Sequence, residues 1–230
     1  EIKGGIIISY RDEKKEFGAI GTFTSDPILN SILLKVRNHC SSFLDTIISS
    51  PLSFQLSQLM LSENTGTVGR LRSSAFTNLT TIFHDAKPDD GREYISMIGL
   101  LNNKRVLKYV RRDYIKDLSG TLDKYTLLIS KANGSGKFGE TLSPAVIAGP
   151  NVGYTQTFIG IGAFDDINYV ENLNKYIKTK FTRTMLGILK ITQDCPAPKW
   201  KYVPLQHFSL NSDINWTTSI IDIDQQLYKK

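Results

Sequence analysis

Residues 93–112, EYISMIGLLNNKRVLKYVRR, contain the clearest structural signal in the sequence, a β-hairpin. Two runs rich in β-branched and aromatic residues flank the polar segment NNKR, which is the pattern of two strands joined by a turn. The region is also basic, because six cations between residues 104 and 116 are opposed by Asp113 alone. Tyr109 and Tyr114 lie among these cations, a composition suited to stacking on nucleic-acid bases. An edge strand protected by charge accounts for the same residues equally well.

Further strands and helices are predicted on both sides of this hairpin. Upstream, KGGIIISY and FGAIGTF enclose the charged turn RDEKKE and predict a first hairpin over residues 1–24. A helix follows, because Pro27 occupies a first helical position directly after short polar acceptors. Downstream, strands are predicted over 124–132, 145–149, 155–164 and 199–205, and a last helix over 219–230. This order predicts the α+β class, with small mixed or antiparallel sheets.

A long basic amphipathic helix is predicted from a cap at Asp165 or Asp166 to about Thr192, before the stop signal Cys195-Pro-Ala-Pro. Apolar or β-branched residues recur at helical spacing at Val170, Leu173, Ile177, Phe181, Thr184 and Ile188. The opposite arc contains Lys175, Lys178, Arg183 and Lys190, with no carboxylate between the first and the last. We therefore expect one face to pack on the sheets and the other to present cations to solvent or to phosphates.

The composition is that of a globular chain. It has 230 residues, of which 40% are hydrophobic and 22% charged, enough for one large domain or two small ones. The sequence contains no apolar run near the ~18 residues of a membrane span, and we expect no membrane partner. Cys40 and Cys195 lack a C-x-x-C spacing, so we predict reduced thiols and a cytoplasmic protein. The net charge of +6 permits a polyanionic partner without requiring one.

Two glycine-containing motifs resemble cofactor-binding sequences but have simpler structural explanations. FIGIG, residues 158–162, matches the F-x-G-x-G pattern of methyl-donor sites, yet a glycine pair in a strand is more often a bulge or a site of close packing. GSGK, residues 134–137, has Lys131 where a phosphate loop needs glycine and Phe138 where it needs Ser or Thr. We expect a flexible loop there. The sequence predicts no catalytic, cofactor-binding or metal-binding residues.

Several longer stretches occur in an order that is informative as a set. They are KYTLLISKANGSG, TQTFIGIGAF, NYVENLNKYIKTKFTRTMLGILKITQD, KWKYVPLQHFS and DINWTTSIIDIDQQLYKK. With KGGIIISYRDE at the start, they cover about half of the chain. Together they resemble the specificity region of bacterial adenine-N6 DNA methyltransferases of type II restriction–modification systems. In that group the methylase, and sometimes an endonuclease, shares one chain with the specificity region.

The resemblance implies a division of labour. Residues 25–230 are expected to form a target recognition domain, and residues 1–24 resemble the end of the catalytic domain. The family's Asn-Pro-Pro-Tyr/Phe tetrapeptide, which holds the flipped adenine, is absent here. Catalysis and S-adenosylmethionine are therefore expected in an upstream methyltransferase domain of a longer parent protein, with no cofactor in this fragment. Residues 43–95 match the family poorly.

The mechanism implied for this fragment is recognition and positioning of double-stranded DNA. The residues predicted to contact phosphates are Lys104, Arg105, Lys108, Arg111, Arg112, Lys178, Arg183 and Lys190. The residues predicted to contact base edges are Arg70, Arg72, Asn133 and Lys137. Two alternatives stay open: a non-enzymatic scaffold whose basic face binds an acidic protein, and a self-contained S-adenosylmethionine-dependent methyltransferase that uses the glycines of 158–162.

Overall fold

A computed structural model describes residues 26–67 and 69–230, together with residues 11, 13, 21, 22 and 24. The hairpin predicted over 1–24 falls, apart from these few positions, outside the described residues. The chain divides into two compact units, Glu1–Ser41 and Ser42–Lys230. The sequence-based boundary between the predicted domains lies earlier, after residue 24.

The described helix of the first unit is α1 (Pro27–His39). The side chain of Asp26 accepts a hydrogen bond from the amide of Leu29 at 2.9 Å, and Pro27 begins the helix. An acceptor before the first turn and a proline within it satisfy the free amide groups of a helix N-terminus. The helix start predicted from the sequence is therefore confirmed.

The second unit combines short helices with three small sheets. Its helices are α2 (Gln58–Glu63), α3 (Ala75–Asn78), α4 (Ile167–Tyr176), α5 (Lys180–Gly187) and α6 (Ile220–Lys229). Its strands are β1 (Phe54–Leu56), β2 (Tyr94–Leu101), β3 (Lys104–Arg111), β4 (Ile115–Asp117), β5 (Tyr125–Ser130), β6 (Val146–Ala148), β7 (Val152–Tyr154) and β8 (Phe158–Phe164). The described strands pair in the orders β1-β4, β3-β2-β7 and β6-β5-β8. This mixture of α and β elements agrees with the predicted α+β class.

The hairpin of β2 and β3 is present in the predicted place. The two residues of its turn, Asn102 and Asn103, have φ angles of 51° and 61°. Asparagine tolerates this left-handed region, and two such residues form the type I′ turn that joins twisted antiparallel strands. Strand β3 lies at the edge of its sheet, with β2 between it and β7. The sequence allowed β3 to be an edge strand protected by charge, and its position at the edge of the sheet is confirmed.

The long basic helix predicted for residues 165–192 is wrong. The structure has two shorter helices, α4 and α5, and the second ends at Gly187. Between them, Thr179 adopts an extended conformation and its hydroxyl accepts a hydrogen bond from the amide of Thr182. Threonine breaks helices in this way because its side chain can replace a backbone acceptor. The carboxylate of Asp224 holds the new helix start by accepting from the amide of Phe181 at 2.8 Å.

The strand predicted over 199–205 is also wrong. Residues Ala197–Trp200 form a 3-10 turn, in which the indole N–H of Trp200 donates to the carbonyl of Cys195. A single β-bridge, between Pro204 and Phe43, follows in this segment. Prolines lack the N–H that a strand needs, which accounts for the loss of regular pairing. The last helix, α6, does form, and Ser219 is its cap.

Candidate nucleic-acid interface

Loops that carry predicted DNA contacts converge on the turn at residues 155–157. The amide of Gln156 donates to the carbonyl of Leu71 at 2.8 Å, which attaches the loop containing Arg70 and Arg72. The amide of Lys131 donates to the carbonyl of Thr157, also at 2.8 Å, which attaches the start of loop 131–144. Leu71 is buried while the arginines on either side of it are exposed. The backbone thus directs two cations outward from an anchored leucine.

The tip of the β2–β3 hairpin joins the same region. The guanidinium of Arg105 donates to the carbonyl of Pro144 at 2.7 Å and to the hydroxyl of Ser130 at 3.2 Å. It also lies 5.6 Å from the ring centroid of Phe158, a distance compatible with a cation–π contact. The neighbouring Lys104 is exposed. The hairpin tip is therefore fixed to both ends of loop 131–144.

We call this region the basic end. Its cations are Arg70, Arg72, Lys104, Arg105, Lys131 and Lys137. Segments 69–84 and 96–112 contain no carboxylate, and loop 131–144 contains only Glu140. Lys131 lies 3.9 Å from Asp194, at the limit of an ion pair. Within the described residues, the side chains of Arg70, Arg72, Lys104 and Lys137 are exposed and have no acidic partner, so they produce an uncompensated positive potential.

Arg111, at the far end of β3, has a different environment. Its guanidinium binds Glu63 and Asp113 at 2.6 Å each, and it lies 4.1 Å from the ring centroid of Tyr114. Its side chain is only 12% exposed. The hydrogen bond from Tyr114, with that from Arg111, holds the pKa of Glu63 below its usual value. Seven residues of strand place this cluster about 23 Å from Lys104.

Arg112 and Lys108 are also engaged by carboxylates. Arg112 donates to both oxygens of Asp123 at 2.9 Å and to the side chain of Asn151. Lys108 is 12% exposed and contacts Asp85 at 2.7 Å. A cleft beside Arg112, of about 610 Å³, is lined by Arg92, Glu93, Arg112, Asp113, Ile115, Asp117, Leu122 and Asp123. Its four carboxylates outnumber its two guanidinium groups, so its charge disfavours phosphate.

Loop 131–144 binds an anion, but the anion is its own Glu140. The carboxylate of Glu140 accepts from the amides of Ser135 and Gly136 at 2.8 Å each, and from the ammonium of Lys190 at 2.5 Å. These contacts, that of Lys190 above all, lower the pKa of Glu140 to about 2. The amide groups that could receive a phosphate are therefore occupied. We call Glu140 with these three donors the Glu140 latch.

The latch buries Lys190, a predicted phosphate contact. The Lys190 side chain is 3% exposed, and its ammonium also donates to the carbonyl of Thr192. Asn133, a predicted base contact, is 1% exposed, and its carbonyl oxygen accepts from the amide of Ser143. In this conformation neither side chain can reach a DNA surface. The sequence pattern missed the burial because Glu140 lies fifty positions from Lys190.

The remaining predicted contacts lie on or between the two helices. Arg183 of α5 donates to the carbonyl of Gly139 at 2.8 Å and to the hydroxyl of Thr141 at 3.3 Å. It therefore braces the middle of loop 131–144, while Arg105 binds Pro144 at the end of the loop. Lys178, at the junction between α4 and α5, is exposed.

The glycines of residues 158–162 have structural roles. Between the pairs Tyr125↔Phe164 and Leu127↔Ile161, strand β8 has one residue more than β5, which is a β-bulge at Gly162. Gly162 has a φ of +78°, and a Cβ there would lie 2.0 Å from the ring of Phe164. A Cβ at Gly160 would lie 2.8 Å from the Tyr154 hydroxyl. The interpretation of these glycines as a bulge and a close-packing site is confirmed.

Replacing Gly162 by alanine is expected to destabilise the second unit by roughly 1–3 kcal/mol through backbone strain. The loss should exceed that of alanine at an equally strained but open position, because the new Cβ would also meet the ring of Phe164. The measurement is urea unfolding followed by circular dichroism. Gly91, on a surface turn, also has a positive φ, of +77°, but a Cβ there would meet no atom within 4 Å. Gly91→Ala is therefore the control for backbone strain alone. Equal losses in both variants would contradict a packing role for the glycine of the bulge.

Within the described part of the chain, no three His, Cys, Asp or Glu side chains are grouped to hold a metal ion. Among the same residues, no helix is long and apolar enough to span a membrane. Cys195 is buried, and burial raises the pKa of its thiol to about 12. Scans against protein-family models and curated proteins find no match to this chain.

Proposed function

We propose that this chain binds double-stranded DNA through the basic end, as the target recognition part of an adenine-specific DNA methyltransferase. Base flipping, methyl transfer and S-adenosylmethionine binding belong, in this proposal, to an upstream domain of the parent protein. The observation that supports it best is the convergence of three loops whose exposed cations have no acidic partner among the described residues. Positive charge on adjoining loops attracts a polyanion. Side chains that project from such loops can contact phosphates and enter the grooves of DNA.

The basic end provides two kinds of contact. Lys104 and Arg105, on the rigid hairpin tip, are suited to phosphates, because a phosphate contact needs only charge at a fixed position. Arg70 and Arg72 project from an anchored loop, and arginine can bind the O6 and N7 atoms of guanine through two hydrogen bonds. Lys137, on loop 131–144, can donate to the same acceptors. The proposal thus retains five of the residues that the sequence indicated.

Four other cations are assigned a structural role instead. Lys108, Arg111, Arg112 and Lys190 each bind a carboxylate of the same chain. A phosphate would have to compete with that carboxylate, and with two of them at Arg111. The proposal therefore uses fewer phosphate contacts than the sequence pattern suggested.

The double substitution Lys104→Gln, Lys137→Gln tests the proposal. Each phosphate contact adds about 0.9 to the slope of log affinity against log salt, so we expect loss of the Lys104 contact to decrease the slope by about 0.9. Loss of the Lys137 contact to a base edge should lower the affinity further. The measurement is fluorescence anisotropy with a labelled duplex at several salt concentrations. Affinity in low salt should fall as the slope falls, because both report the release of counterions from DNA.

The matched control is Lys116→Gln, Lys229→Gln. It removes the same net charge from exposed positions on β4 and at the end of α6. If both double variants lower the slope equally, DNA responds only to net charge and the basic end is not the interface. If the unaltered chain shows no salt-dependent duplex binding, the proposal is wrong, and a scaffold that binds an acidic protein becomes the better explanation.

A further inference from the structure

Phe138 is an exposed aromatic residue that the DNA-binding proposal leaves without a role. It is 53% exposed, although it lies in a loop whose other parts are closely held. Large apolar side chains are common on protein surfaces, and exposure alone indicates nothing. The way in which this ring is supported distinguishes it.

The backbone on both sides of Phe138 is held in place. Upstream, the Glu140 latch holds the amides of Ser135 and Gly136, and a Cβ at Gly136 would lie 2.5 Å from the main chain of Ile191. Downstream, the carbonyl of Gly139 accepts from Arg183. A loop braced on both sides of one aromatic residue presents that ring with little conformational freedom to lose on binding.

One edge of the ring has a defined seat. A Cβ on Gly187 of α5 would lie 2.8 Å from the ring of Phe138, so the absence of a side chain at Gly187 lets the ring approach the helix. More than half of the Phe138 side chain is exposed to solvent. Ile191, beside the same loop, is 74% exposed. The ring is thus presented as a supported apolar platform.

The charges around this platform favour a nucleic acid. Lys137 directly precedes the ring and has no acidic partner among the described residues, while the one carboxylate of the loop is neutralised by Lys190. An aromatic face beside unpaired cations is the combination with which proteins bind unpaired bases and their phosphates. An apolar pocket on a partner protein would satisfy the ring but not Lys137.

We infer that Phe138 is a base-stacking residue, whose ring contacts the face of an unpaired or unstacked base when DNA lies on the basic end. The inference rests on the proposed function. It adds a stacking contact that depends on whether a base is unpaired or unstacked and not on which base it is. A domain that accompanies base flipping encounters such bases beside the flipped position.

The test compares two labelled duplexes, one fully paired and one with a single unpaired adenine at its centre. For the unaltered chain we expect tighter binding to the second duplex. Phe138→Ala should remove this preference, with a loss of about tenfold for the unpaired-base duplex, in the range of measured base–aromatic contacts. The salt dependence should stay unchanged, because no charge is removed. Phe138→Trp should retain the preference, since indole also stacks.

Tyr228→Ala is the matched control, because Tyr228 is 54% exposed and lies on α6. Thermal unfolding of each variant confirms that the fold is retained. If Phe138→Ala binds both duplexes as the unaltered chain does, the stacking inference is overturned and the proposed DNA binding stands. A contact with a partner protein then explains the exposed ring better. If the unaltered chain binds neither duplex, the proposed function fails and the inference fails with it.

Discussion

Glu140→Ala is expected to destabilise the second unit by roughly 3–5 kcal/mol, the usual cost of breaking a buried ion pair from one side. The substitution leaves the ammonium of Lys190, whose side chain is 3% exposed, without its carboxylate. It also removes the acceptor of the Ser135 and Gly136 amides. For a domain of this size the loss corresponds to a decrease of roughly 6–20 °C in the melting temperature. Calorimetry measures it directly.

Two variants separate the ion pair from loss of the side chain in general. Glu171→Ala, at an exposed position on α4, should change stability by less than about 0.5 kcal/mol. Glu140→Gln combined with Lys190→Met removes both charges and should recover part of the loss, because no unpaired charge stays buried. If Glu140→Ala melts within about 2 °C of the unaltered chain, the latch does not hold the loop.

The carboxyl group of Glu140 predicts an acid-dependent loss of stability. Its pKa is about 2 in the folded chain and about 4.5 ordinarily. A carboxyl group with a lowered folded pKa stabilises the fold above its unfolded value, and the contribution is lost as the pH falls from about 4.5 towards 2. Over this interval the melting temperature of the unaltered chain should fall more steeply than that of Glu140→Gln, whose amide does not titrate. Parallel curves would contradict this assignment.

Trp216→Ala is expected to have a comparable effect, of roughly 3–5 kcal/mol, because it removes a buried indole from an aromatic cluster. Trp216 is 2% exposed, and its ring centroid lies 5.5 Å from that of Phe208 and 6.2 Å from that of Tyr176. Its indole N–H donates to the carbonyl of His207 at 2.9 Å. The cavity left by the indole would remove the packing contact between α4 and the segment that precedes α6. Chemical unfolding followed by circular dichroism measures the loss.

Trp216→Phe provides the comparison. It retains an aromatic ring in the cluster but cannot donate to the carbonyl of His207, so we expect a smaller loss, near 1–3 kcal/mol. The difference between the two variants measures the contribution of ring volume. If both variants unfold at the same denaturant concentration, packing of the ring contributes little and this account of the C-terminal segment is wrong.

Local sequence was sufficient for elements whose geometry depends on neighbouring residues. The β2–β3 hairpin follows from two alternating strands and a turn that Asn102 and Asn103 can adopt, and α1 follows from its cap and proline. The bulge at Gly162 was likewise indicated by a glycine within a strand. In each case the interactions that stabilise the element span a few residues, so a short window contains them.

The helix of residues 165–192 shows where a local pattern is insufficient. Its periodic apolar residues are indeed buried at Val170, Leu173 and Phe181. The Thr179 side chain caps the second helix, and the carboxylate of Asp224 holds its start. Asp224 lies forty-three positions from Phe181, whose amide donates to it. Periodicity indicated which face is buried. It could not indicate the second helix start, because the carboxylate that holds this start lies far away in the sequence.

The sequence alone was enough to indicate the class of fold, the basic character of the hairpin and the segments that carry cations. Which cations are available to a partner depends on acids brought from elsewhere by folding: Arg111 binds Glu63, forty-eight positions away, and Lys190 binds Glu140, fifty positions away. The exposed cations at the basic end and the neutralised ones have similar sequence surroundings. Only the folded chain separates them, because an ion pair requires proximity in space, and proximity between distant residues arises from the packing of the whole unit.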